Sequence, residues 1–141
     1  MGILLLFNGS LMLLSSLTSF IFKDGVTFEL TLSAFLVLST GALMMLFGRQ
    51  HNKQIQKREG YLIVSLGWVL MSLSGTLPYL LTAAIPDFTA AFFETMSGYT
   101  TTGASILNDI EIIPKGVLFW RSTTHWIGGM GIIVLAIAIL P

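Results

Sequence analysis

The sequence predicts an all-α polytopic membrane protein: four transmembrane helices plus a re-entrant pore helix and filter loop. Three observations lead there. Of 141 residues, 54% are hydrophobic and only 10% charged, against roughly 25% charged in soluble domains. Apolar runs of about 20 residues, the length that crosses a bilayer as a helix, recur along the chain with short polar stretches between them. Between the last two lies FTAAFFETMSGYTTTGAS, Phe88 to Ser105, too short and too polar at its end to cross.

Composition also excludes several classes. Zero formal net charge argues against a nucleic-acid surface. Without cysteine there is no disulfide framework and no thiolate metal site. Two histidines and seven carboxylates are scattered and form no metal-ligand pattern. An enzymatic reading finds no nucleophile–base pair and no phosphate-cradling motif, and no cofactor is expected.

Segment one runs from Ile3 to Phe22 without a charge. It lacks a basic leader and a small-residue cleavage site, so it reads as a retained helix. Asn8, Ser10, Ser15, Ser16 and Thr18 can bond back to their own helix or to a neighbour. Lys23-Asp24-Gly25 is a turn, and segment two follows from Val26 to Phe47. Its one charge, Glu29, stands in the first turn, where it reads as a solvated carboxylate rather than an ion site. Gly48 is a plausible residue just past the helix end. Residues 1–48 thus form an N-terminal transmembrane helix pair.

Residues 49–60 hold four basic side chains, Arg49, Lys53, Lys57 and Arg58, against Glu59. The positive-inside rule makes this loop cytoplasmic, which puts both ends of the chain on that side; His51 reads as a solvated loop residue. Residues 61–141 form a helix–pore loop–helix unit entered from outside. Segment three, Tyr61 to Ala84, is rich in Ser and Gly and therefore suited to close helix contact, with a kink at Pro78. After Pro86, Asp87 is placed to N-cap a half-helix carrying Phe88, Phe92, Phe93 and Met96. Asp109 and Glu111 in the outer loop either gather cations at a pore mouth or are simply hydrated. Segment four begins at Pro114, acceptable in a first turn, and reaches Leu140. The chain ends at Pro141 while still apolar, as expected for a piece of something longer.

Irregular backbone at membrane depth is tolerated only where protein or a water-filled path surrounds it. The run Thr100-Thr101-Thr102-Gly103 is therefore the candidate filter. Backbone carbonyls can replace a cation's hydration shell, binding the ion yet letting it leave. Gly103 tolerates the unusual angles that aim carbonyls inward, and β-branched threonines suit extended backbone. In a soluble loop the same four residues would read as a turn; their place after an aromatic half-helix makes the case. Glu94, buried alone, would be costly, so it is expected to pair with Arg121 and brace the loop. The rival is that Arg121 snorkels to the outer interface. Arg121, His125 and Gly128 share one helix face. His125 reads as a hydrogen-bonded packing residue in preference to a proton relay. Gly128, Gly129 and Gly131 read as close-approach positions in preference to a hinge.

Two strings, SGYTTTGAS (Ser97 to Ser105) and FWRSTTHWIGGMGIIVLAIAILP (Phe119 to Pro141), resemble Trk-type potassium-uptake subunits, the TrkH/TrkG branch of the Trk/Ktr/HKT superfamily. The likeness extends over essentially the whole chain. It implies transport of potassium, passive or coupled, through a bacterial inner membrane, with Gly103 as the family's filter glycine. It further implies four such repeats around one pathway, a homodimer and a cytosolic nucleotide-binding regulatory subunit. The chain departs from that pattern in holding one repeat, preceded by the extra helix pair. Two alternatives stay open at this point: a short subunit of a homotetrameric cation channel, and a non-conducting membrane assembly subunit.

Overall fold

The computed structural model describes residues 1–48 and 57–139. Most of the predicted basic loop, with His51, and residues 140–141 lie outside these. Six helices form among the described residues: α1 (Gly2–Phe22), α2 (Thr27–Gly48), α3 (Lys57–Gly75), α4 (Leu77–Leu81), α5 (Phe88–Tyr99) and α6 (Lys115–Ile139). Among the described residues, three stretches are long and apolar enough to cross a membrane: Gly2–Phe22, Thr27–Gly48 and Val64–Leu81. The fourth predicted segment forms the 25-residue helix α6.

The helices are arranged for lipid as the solvent. On α1 the buried positions are Gly2, Leu5, Asn8, Gly9, Met12, Ser15, Ser16 and Ser19, while Ile3, Phe7, Leu17 and Phe20 stay exposed. Lipid tails are as apolar as leucine, so helices associate through small residues and polar bonds instead of through hydrophobic burial. α1 and α2 form an antiparallel hairpin on this basis. At one end a Cβ on Gly2 would stand 2.8 Å from the Gly41 carbonyl. At the other, the Ser16 and Thr31 hydroxyls are 2.6 Å apart. Lys23 (φ 54°) ends α1 in the left-handed region, its N–H donating to the Ser19 carbonyl, and Gly25 (φ 82°) completes the turn.

Two boundaries and one side chain differ from expectation. Gly48 is helical, the last described residue of α2, and has no left-handed φ. α3 begins at Lys57, so the end of the predicted loop is already helix. Glu29 is half-buried, not fully solvated, and its Oε2 is enclosed without a partner. Its neighbour Leu30 is wholly buried in the core shared with Tyr79, which draws the first turn of α2 against the rest of the protein.

Pro78 interrupts the helix between Gly75 and Leu77 and stands in the first turn of α4, while Thr76 keeps right-handed helical backbone and helical bonds to Ser72 and Leu80. The Gly75 carbonyl there accepts the Trp120 indole N–H at 3.0 Å, so a side chain from α6 serves the end of α3. Ala83 (φ 54°) then redirects the chain toward α5. Pro114 stands just before α6, not within it, and its carbonyl accepts the Leu118 N–H at 3.0 Å. The Gly116 N–H, orphaned at that helix start, donates to Asp24 Oδ2 at 2.8 Å. The turn of the N-terminal hairpin thereby caps α6.

Candidate functional site

α5 starts where the sequence places it. Asp87 is extended, and its carboxylate accepts the Ala90 N–H at 2.7 Å, satisfying one free donor of the first turn. The twelve residues of α5 pack between α3 and α6. Its buried side runs Ala91, Glu94, Thr95, Ser97, Gly98 and Tyr99, so the helix is enclosed most deeply toward its C-terminus.

The end of α5 departs from the extended strand predicted for the threonines. The Thr101 N–H donates to the Gly98 carbonyl and the Thr102 N–H to the Ser97 carbonyl, each at 3.0 Å. These are the paired bonds of a Schellman motif, which requires a left-handed residue. That residue is Thr101, at φ 55°, while Thr100 is still right-handed helical. A β-branched side chain there costs on the order of 1–2 kcal/mol relative to glycine. Thr100 and Thr101 are therefore turn residues, and irregular backbone begins at Thr102. Gly103 is left-handed too, at φ 75°, with no atom within 4 Å of the position a Cβ would take.

Thr100 to Ile106 are all exposed. Among the described residues the Thr101, Thr102 and Gly103 carbonyls accept no hydrogen bond from the protein, whereas the Thr100 carbonyl accepts from its neighbour's hydroxyl at 2.7 Å. The Ala104 carbonyl accepts the Ser97 hydroxyl at 2.6 Å. The Thr100 and Thr102 hydroxyls lie 2.8 Å apart. The successive residues Thr101, Thr102 and Gly103 thus carry a row of free carbonyl oxygens between two tied ends.

Behind this row the structure brings Glu94 and Arg121 together. Arg121 Nε–H donates to Glu94 Oε1 at 2.7 Å; the carboxylate side chain is fully enclosed and the arginine 21% exposed. Glu94 also accepts the Ser105 hydroxyl, 3.0 Å from both oxygens, and the Ile106 N–H at 3.0 Å. A buried carboxylate so served has its charge matched and its lone pairs occupied. Its partners stand on two elements: the chain just after Gly103 and α6.

The shared face of α6 turns entirely toward α5. Next along from Arg121, His125 Nδ1 is 3.0 Å from the Arg121 carbonyl. A carbonyl only accepts, so Nδ1 carries the proton in that bond. One turn further, a Cβ on Gly128 would fall 2.3 Å from the Tyr99 carbonyl oxygen and 2.8 Å from that of Gly98. Gly128 is the seat of the α5 C-terminus. Gly131 faces Trp68, and Gly129 is almost open. The outer-loop acids Asp109 and Glu111 are exposed, and the Asp109 carboxylate accepts the Glu111 N–H at 3.0 Å, a local turn contact.

Sequence reasoning missed Tyr99. Its ring is wholly buried, lies edge-on to Trp68 with centroids 6.3 Å apart, and donates its hydroxyl proton to Asn8 Oδ1 at 2.5 Å. The one available signal was a polar asparagine among the apolar residues of segment one.

A bundle of membrane-length helices holding one short internal helix defines a polytopic membrane protein. Residues 7–141 match the family described as TrkH: Cation transport protein, and the chain belongs to that family. Over 142 residues it is 42% identical to the Trk system potassium uptake protein TrkH of Halomonas elongata, covering all of this chain and 30% of that protein. It is 40% identical to the TrkH of Escherichia coli K12, over 99% of this chain and 29% of the relative. The E. coli Trk system potassium uptake protein TrkG matches at 39% over 89 residues, 62% of this chain and 18% of that protein. The crystal structure of the potassium transporter TrkH from Vibrio parahaemolyticus superposes with a TM-score of 0.89 at 40% identity, over 99% of this chain and 30% of that one. The chain thus spans about 30% of the length of these relatives, which are named as transport proteins and not as enzymes.

Proposed function

We propose that this chain supplies one quarter of a potassium-selective pathway, with the carbonyls of Thr101, Thr102 and Gly103 facing the ion and Thr100 closing the end of the pore helix. α3 with α4 and α6 are the outer and inner supports, α6 spans the bilayer as the fourth crossing helix, and α5 is the re-entrant pore helix. The observation that carries this reading is the exposed row of free carbonyl oxygens, stationed at the C-terminal, negative end of α5. Potassium is the substrate and no cofactor takes part.

Three further units of the same kind complete the enclosure, and the relatives' greater length has room for them. The assembled subunit lies in the bacterial inner membrane with the basic loop and both ends of this segment in the cytoplasm. It forms a homodimer and is regulated by a cytosolic nucleotide-binding subunit. Glu94 and Arg121 brace the loop from behind and carry no ion.

The test is Gly103→Ser in the complete protein, scored by rubidium and sodium uptake in a potassium-requiring strain. A side chain at φ 75° adds ~1–2 kcal/mol of strain, so the rubidium preference should fall by about tenfold. An unchanged preference at normal protein level contradicts the reading.

A further inference from the structure

The N-terminal helix pair stands apart from the pore repeat in sequence, yet one buried polar chain joins them beneath the filter. The Tyr99 hydroxyl donates to Asn8 Oδ1 at 2.5 Å. Asn8 Nδ2–H donates to Ser74 Oγ at 2.8 Å, and the Ser74 hydroxyl donates to the Met71 carbonyl at 2.9 Å. Because Ser74 spends its proton on Met71, it must accept from Asn8. That fixes the amide with its nitrogen toward α3 and its oxygen toward Tyr99. Each link has one possible direction, and both Asn8 and Tyr99 are 0% exposed. Water cannot replace a lost partner here, so the bonds are held strictly.

Tyr99 is the last residue of α5, one position before the filter segment. Its backbone carbonyl is seated against Gly128 of α6, its ring edge meets Trp68 of α3, and its hydroxyl is held by α1. Rotation of α5 about its axis is opposed by the seat and the ring contact. The ring also packs against Gly75, and among the described residues its hydroxyl has one hydrogen-bond partner, Asn8.

We propose that Asn8 is a positioning residue for ion selection: through Tyr99 it sets the depth at which the Thr101–Gly103 carbonyls stand, which makes the N-terminal helix pair part of the selecting apparatus. This rests on the filter reading above. Asn8 touches no ion and acts only through Tyr99.

The experiment uses the complete protein in proteoliposomes and measures the ratio of rubidium to sodium uptake for wild type, Asn8→Ala, Tyr99→Phe, the double variant and Gly103→Ser. The ratio should fall by about fivefold or more in each of the first two, and the double variant should be no worse than the poorer single, since both remove the same link. Tyr99→Phe keeps the ring and its packing, so it decides the matter where Asn8→Ala yields no protein. Unchanged ratios in both singles, or equal loss of both ions with the ratio kept, overturn the proposal while a changed Gly103→Ser ratio leaves the filter reading standing. If Gly103→Ser is also without effect, the filter reading falls and this proposal with it.

Discussion

The hairpin of α1 and α2 and the unit from α3 to α6 obey the same solvent yet spend their polar groups differently. In the hairpin most hydroxyls return to their own helix: Ser10 to the Leu6 carbonyl, Thr18 to Leu14 and Ser33 to Glu29. Such bonds neutralise a polar group without fixing a neighbour. In the second unit helical hydroxyls do the same, Ser74 to the Met71 carbonyl and Ser122 to Leu118, but charged and indole groups also reach across: Arg121 to Glu94, Glu94 to Ser105 and Ile106, and Trp120 to Gly75. The difference follows from what is held. A regular helix satisfies its own backbone, whereas an irregular segment must be held by side chains from elsewhere.

If that contrast is right, substitutions should rank by whether the lost bond crosses between elements. The largest effect is expected at Arg121→Gln, which leaves the fully enclosed Glu94 carboxylate without its counter-charge, a loss on the order of 3 kcal/mol. Thermal unfolding in detergent should register this as a marked drop. Glu94→Gln should cost less, because the 21% exposed guanidinium can turn toward water. Equal melting temperatures for the two variants would break the account of the pair.

Next comes Gly128→Ala. Its Cβ would lie 2.3 Å from a backbone oxygen, so α5 or α6 must shift, at about 1–3 kcal/mol. Gly129→Ala, one residue on, meets only a methyl at 3.9 Å and should be close to neutral in the same unfolding assay. The smallest effect belongs to Ser10→Ala in the hairpin. Its bond to the Leu6 carbonyl is local and exposed, so stability should stay within ~0.5 kcal/mol of the parent. A larger loss there would mean that an own-helix hydroxyl bond also fixes a neighbour.

The same division decides what could be read from the sequence. Helix spans follow from length and composition, and the Asp87 cap follows from local chemistry, so both are legible. The Glu94–Arg121 contact is legible because two charges in apolar surroundings have few ways to be accommodated. The Thr101 turn is not: propensity disfavours a left-handed threonine, and the paired bonds to Gly98 and Ser97 that go with it leave no mark in the residue pattern. The Asn8–Tyr99 bond joins residues 91 positions apart and depends on how α1 is rotated against α3 and α5, which a weakly amphipathic helix does not encode in its pattern. Glu29 was misread for a related reason, since the first turn of a membrane helix is hydrated only if nothing packs over it.

The central claim is that free backbone oxygens from Thr101 to Gly103 meet the ion directly. Anomalous diffraction from crystals of the complete protein grown in rubidium measures this most directly. The account predicts rubidium peaks on the pathway axis within coordinating distance of those carbonyls. Well-ordered rubidium elsewhere on the axis, with these oxygens hydrogen-bonded to neighbouring amides, would contradict it.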